Sequence, residues 1–194
     1  MARPVEIDRA TTLKVATQVF WRQGYTATSM NQLLRAMNIG SGSFYAAFDS
    51  KAELFKRVVD AYGRWSEKQW AQMRARHQGL DVIRVFLEKT LINVKLSDRQ
   101  KGCLLVNSVL ELADVEDELY QHARNALGTL ESEIRACVEE ARELGALNTR
   151  VTDDALVGLL MSQIHGLRVE SRLGLTKNKA RQRVSALLEL VSTT

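Results

Sequence analysis

Apolar residues recur along this chain at three- and four-residue intervals, and the places where that rhythm stops divide it into helices. The first helix is expected from Asp8 to Gln23, with Leu13, Ala16 and Phe20 on one face, Val15 and Val19 beside them, and Gly24 as its stop. Thr28 or Ser29 opens a second helix through Met30, Leu33, Leu34 and Met37, which breaks at Asn38-Ile39-Gly40. A short third helix follows over about 41–47, its Phe44, Tyr45 and Phe48 spaced to pack on the first two. Asp49-Ser50 closes it and caps a fourth, running from Lys51 to about Arg76 with a stripe of Leu54, Phe55, Val58, Tyr62, Trp65, Gln69 and Met73.

The remainder reads the same way. An amphipathic segment carries Leu80, Ile83, Phe86, Leu87, Leu91 and Val94, and the polar run 97–102 breaks it. An apolar helix from Cys103 to Ala113 precedes a long one over 116–144, with Leu119, Ala123, Leu127, Leu130, Ile134, Val138 and Ala141 inward. Two last helices, about 152–173 and 177–191, show stripes at Leu156, Leu159, Leu160, Ile164 and Leu167 and at Val184, Leu187, Leu188 and Val191. The fold class is therefore all-α: three helices forming a helix-turn-helix unit at residues 1–50, then a larger helical domain at 51–194.

Composition supports this. Proline occurs once, at Pro4, so no proline interrupts any periodic segment. No apolar run reaches membrane-spanning length and the N-terminus lacks a signal-peptide core, so a cytoplasmic protein without membrane contact is expected. The two cysteines, Cys103 and Cys137, are too few for a structural zinc site, and neither a metal nor another cofactor is implied. Of the net charge of +4, all lies in residues 1–57, where eight cations face four anions. Such an asymmetry suits a polyanionic partner.

Catalytic signatures are missing. There is no Gly-x-Ser-x-Gly, no His-Glu-x-x-His and no phosphate-cradling glycine loop, and Glu118 and His122 are an unpaired couple rather than a di-iron motif. Residues 28–51 instead have the shape of two short helices joined by a tight turn, in which the second helix enters the major groove. Small residues at 40–43 let the backbone approach a duplex, and the hydroxyls of Thr28, Ser43 and Tyr45 and the ammonium of Lys51 suit phosphates. Each has a plainer role too: Thr28 and Ser43 as caps, Tyr45 as a core ring, Lys51 as a solvated helix start.

The run Asn38-Ile39-Gly40-Ser41-Gly42-Ser43-Phe44-Tyr45-Ala46-Ala47-Phe48-Asp49-Ser50-Lys51-Ala52-Glu53-Leu54-Phe55, preceded by Gln23-Gly24-Tyr25 and Thr28, resembles the TetR family of one-component regulators. The likeness is close over about 8–57 and rests beyond that on length and helical content. It implies phosphate contacts from Thr28, Ser43, Tyr45 and Lys51 and groove-facing positions at Ser41, Gly42 and Ala46 on double-stranded operator DNA. Gly40 replaces a frequent capping serine and Ala46 a frequent polar side chain, so specificity is expected to lean on Ser41, Arg35 and DNA shape.

The resemblance also implies a repressor released by a small-molecule inducer, and a homodimer built through the last two helices. Gly158, Ser162 and Gly166 offer a small-residue face for that pairing, with Leu159 and Leu173 alongside. Two recognition helices one DNA turn apart would then read a palindromic operator. Candidate inducer contacts are Trp65, Gln69, Met73, Phe86, Cys103, Asn107, Met161 and His165, each also suited to a core. Lys101-Gly102-Cys103-Leu104-Leu105 is similar to members that sense electrophiles through a cysteine, whereas Cys137 is expected in the core. A DNA-binding protein governed by a partner instead of a ligand stays open; the large apolar second domain argues against it.

Overall fold

Helix α1, Arg9–Gln23, begins where Asp8 accepts hydrogen bonds from the amides of Ala10 and Thr11. The computed structural model describes residues 8–148 and 150–193, so Arg3 and Glu6 of the basic segment lie outside the described residues. Helices α2 (Met30–Met37), α3 (Ser41–Phe48) and α4 (Lys51–Arg74) follow, each within two residues of the expected bounds. Then come α5 (Leu80–Leu87), a π-helical turn at Glu88–Ile92, and α6 (Leu96–Arg99). The chain continues through α7 (Leu104–Leu112), α8 (Asp117–Glu143), α9 (Asp153–Arg172) and α10 (Lys177–Val191). No strand occurs among the described residues, and none of their helices is long and apolar enough to cross a membrane.

Two compact units share these helices. The first takes the chain up to Arg64 and adds Leu104–Ala126; the second takes Trp65–Cys103 and Leu127 onward. This division differs from a break at residue 50, because long-range polar ties bind later segments to the first helices. Glu111 of α7 accepts from the amides of Tyr25 and Thr26 at 3.0 and 2.6 Å. Lys56 pairs with Glu118, and Asp60 meets His122 Nε2 at 2.7 Å. Inside this unit Phe20, Phe44, Phe48, Leu54 and Phe55 are almost fully buried, and Phe20 meets Phe55 edge to face at 5.2 Å.

The second unit has its own core of Trp70, Met73, Val82, Ile83, Phe86, Leu87, Leu91, Ile134, Val138, Leu156, Leu160, Ile164, Val184 and Leu187, among others. Cys137 lies in it, as expected, and burial pushes its thiol up to about 11 against the opposing pull of Arg74.

Three expectations need correction. Trp65, placed in the inward stripe of α4, is 49% exposed, whereas Trp70 is 1% exposed and stacks on Phe86 at 4.6 Å. At about 100° per residue, Trp65 and Trp70 lie about 140° apart around the helix, and the core faces the Trp70 side of Met73. The polar run 97–102 is no solvated loop: it begins in α6, and Arg99 and Lys101 are both 7% exposed. Lys101 achieves this by pairing with Asp98 at 2.6 Å, and Arg99 by donating to the Leu91 carbonyl. Finally, the amphipathic helix after Leu80 is not uniform, since its α-helix gives way to the π-turn at Glu88. Thr90 Oγ1 bonds back to the Phe86 carbonyl there at 2.6 Å, a bond that competes with the regular ladder.

Candidate nucleic-acid interface

Ser29 and Gln32 start α2 with a reciprocal capping box: the Gln32 amide donates to Ser29 Oγ at 3.2 Å and the Ser29 amide to Gln32 Oε1 at 2.8 Å. Asn38 ends the helix in the left-handed region, φ 53° and ψ 46°, which asparagine tolerates better than most residues. The chain then turns through Ile39 and Gly40 into α3. No side chain caps α3 and no acidic residue occupies its first turn. Its leading amides and its positive dipole end are therefore left for an external acceptor.

Ser41, Gly42, Ser43, Tyr45 and Ala46 are exposed, while Phe44, Ala47 and Phe48 are buried. One side of this two-turn helix anchors it and the other stays open. A Cβ on Gly40 or Gly42 would meet nothing within 4 Å. Tyr45 is 53% exposed, with its ring edge-on to Phe44 at 5.3 Å, so it is not a core aromatic. Arg57 Nη1 donates to the Ala47 carbonyl at 3.1 Å and its guanidinium lies over Phe48, closing the C-terminal end of α3.

Lys51 is half-buried, with Nζ 4.3 Å from the centroid of the Tyr25 ring. Burial pulls its pKa down, and the Glu111 charge acts in the opposite sense. Arg35 is exposed on α2. Thr28 departs from expectation. Its side chain is 0% exposed and Oγ1 donates to the Gly24 carbonyl at 2.5 Å, so it locks the turn before α2 instead of offering a hydroxyl to phosphate.

Glu111 was not legible as part of this region. The feature that points to it is Gly24: with φ 84° and ψ 177°, and a notional Cβ 2.4 Å from Glu111 Oε2, the position admits only glycine. The carboxylate therefore sits directly on the turn that carries α2 and α3.

The expected inducer contacts are scattered. Met73, Phe86 and Met161 share the core of the second unit, and Cys103 is 7% exposed in the same unit. Gln69 and His165 are half-buried there, whereas Asn107 belongs to the first unit and Trp65 is turned outward. Burial holds His165 below the usual histidine range, opposed by Glu131.

Two family models match the chain: "Bacterial regulatory proteins, tetR family" over residues 13–58, and "Tetracyclin repressor-like, C-terminal domain" over 79–187. The HTH-type transcriptional repressor ComR of Escherichia coli (strain K12) is 25% identical over 190 residues, covering 97% of this chain and 90% of ComR. A cysteine-substituted form of the TetR family regulator CifR, complexed with 26-base-pair operator DNA, superposes with a TM-score of 0.79 at 25% identity, covering 96% of this chain and 98% of that one. The reduced form of NemR from E. coli shares the fold, with a TM-score of 0.82 at 16% identity over 96% of this chain and 97% of that one.

Proposed function

Since the chain belongs to the tetR family of bacterial regulatory proteins, a family of transcriptional regulators and not of enzymes, we propose that it is a repressor that binds a palindromic operator as a homodimer and lets go when a small molecule occupies its second unit. The observation that carries this reading is α3, an uncapped and exposed helix N-terminus with Gly42, Ser43, Tyr45 and Ala46 on its open side. ComR is a repressor and CifR holds operator DNA, which supports the same role here.

In this reading the amides of α3, with Ser43, Tyr45 and Lys51, hold phosphates, and Ser41, Gly42, Ala46 and Arg35 face the groove. Thr28 contributes by fixing the turn. Short side chains at 41, 42 and 46 leave little to hydrogen-bond with base edges beyond one serine hydroxyl, so groove shape is expected to carry much of the selectivity. The test is fluorescence anisotropy on the protein's own promoter region against random DNA. Lys51→Ala removes one phosphate contact from each subunit of the dimer, so it is expected to weaken binding at least about tenfold on every sequence and to lower the salt slope by about two. Equal affinity of the wild type for promoter and random DNA would sink the proposal.

The dimer is assigned to α9 and α10. Leu159, Leu173 and Leu190 are 50, 81 and 75% exposed, and they flank or line a face where Gly158 and Gly166 have open space in place of a Cβ. A groove of about 470 Å³ runs along it, lined by Leu159, Gly166, Ala186 and Leu190 among others. Leu173→Glu combined with Leu190→Glu is expected to give a folded monomer in sedimentation equilibrium, because neither side chain supports its own subunit's core. A persistent dimer would move the interface elsewhere. Cys103, buried, favours a noncovalent inducer over direct attack by an electrophile.

A further inference from the structure

The π-turn Glu88–Ile92 presents two consecutive backbone carbonyls to two arginines from different elements. Arg168 of α9 donates from Nη1 to the Thr90 carbonyl at 3.1 Å, and Arg99 of α6 donates from Nη1 to the Leu91 carbonyl at 3.3 Å. Arg99 is 7% and Arg168 9% exposed. The loop after α6 is held to the same stretch of α9, since a Cβ on Gly102 would lie 3.3 Å from the Arg168 carbonyl and 3.1 Å from Arg172 Cγ. These contacts hold the two guanidiniums on neighbouring carbonyls of the π-turn, within the second unit.

Neither guanidinium has a carboxylate partner among the described residues, and Arg99 Nε is buried with no acceptor at all. The adjacent cation, Lys101, is accounted for by Asp98. Two buried guanidiniums hydrogen-bonded only to single neutral carbonyls are an incomplete arrangement, since a buried charge left without a counter-charge is costly. A bidentate oxyanion would supply both the missing charge and the missing acceptor. The surroundings define the rest of such a molecule. The Arg168 guanidinium lies 5.6 Å over the Phe86 ring, Phe86 stacks on Trp70, and Leu91 and Ile92 are buried alongside. Trp70 Nε1 is a second buried donor without an acceptor. π-Turns of this kind occur often at functional sites.

We propose that Arg99 and Arg168 form a binding site for a small organic carboxylate, with the carboxylate on the two guanidiniums and a short apolar body toward Phe86. Its regulatory consequence rests on reading the second unit as the ligand-sensing part; the binding itself does not.

The test uses the full-length protein without DNA. Thermal unfolding and calorimetric titration are run with sodium acetate, propionate and benzoate at constant ionic strength, each beside its neutral amide. At least one acid is expected to raise Tm by about 5 to 10 °C at a hundredfold excess over its Kd, its amide to do nothing, and backbone hydrogen exchange over 88–103 to slow. Arg168→Lys, which keeps the charge and loses the fork, is expected to weaken binding at least tenfold. If that variant fails to fold, the acid–amide comparison and the exchange pattern in the wild type still decide. Overturning results are acids that stabilise no more than their amides, or protection elsewhere in the chain. The same acid is then added to the operator complex: binding without release would leave the site standing and remove its role as the inducer site.

Discussion

Gly24→Ala is expected to destabilise the protein by about 3 to 5 kcal/mol, enough to leave a marginal domain largely unfolded at physiological temperature. Two costs combine. The backbone at Gly24, φ 84° and ψ 177°, lies in a region that side chains penalise by about 1 to 3 kcal/mol. The new methyl group would also displace the Glu111 carboxylate, which accepts from the amides of Tyr25 and Thr26, and charged hydrogen bonds of this kind contribute about 1.5 to 3 kcal/mol each. Urea unfolding separates the two. In a Glu111→Ala background the same substitution is expected to cost only the backbone term, so the double-mutant cycle should show coupling of at least about 1 kcal/mol. Additive losses would mean that the carboxylate simply moves aside.

A contrast between two tryptophans is the second large effect. Trp70→Ala removes a ring that is 1% exposed and stacked on Phe86, and is expected to cost about 3 to 5 kcal/mol. Trp65→Ala, five residues earlier on the same helix but 49% exposed, is expected to cost less than about 1 kcal/mol. Measured by thermal unfolding, comparable losses at the two positions would place the core of the second unit on the wrong side of α4. Trp70→Phe is informative as well. It keeps the aromatic packing while deleting the unpartnered Nε1–H, so its cost is expected to be well below that of alanine.

These two pairs also show what could be read along the chain and what could not. Apart from the stretch between Glu88 and Arg99, helix bounds were legible because they depend on local chemistry. Asp8, Ser29, Thr152 and Thr176 all accept hydrogen bonds from the first turns they precede, and Gly24 and Asn38 sit where a positive φ is required. The open face of α3 was legible only in part: the small residues at 41–43 and 46 mark it, but Tyr45, spaced with Phe44 and Phe48 to pack, lies on it as well. Rotation about a long helix is another matter. Trp65 continues the stripe that runs through Val58 and Tyr62, Trp70 lies about 140° away from it, and only the packing of Phe86 on Trp70 shows which side is buried. Polar groups whose partners are remote in sequence were least legible. Glu111 reads as one more charge on α7 until its two amides, some 85 residues away, are seen. Arg99 and Lys101 read as loop signal, because nothing local reveals that the Leu91 carbonyl and Asp98 satisfy them.

The open side of α3 bears on how such a regulator changes over generations. Gly42 and Ala46 are exposed, and a Cβ at Gly42 would touch no other part of the chain. A longer side chain at either site disturbs no packed contact, and at Gly42 almost any replacement improves the helix by up to about 1 kcal/mol. If α3 reads the operator as proposed, stability and address are set by different residues: Phe44 and Phe48 fix where the helix lies, while its outer positions carry no packing role. After gene duplication, one or two codon changes could redirect a copy to a new promoter without passing through an unfolded intermediate sequence.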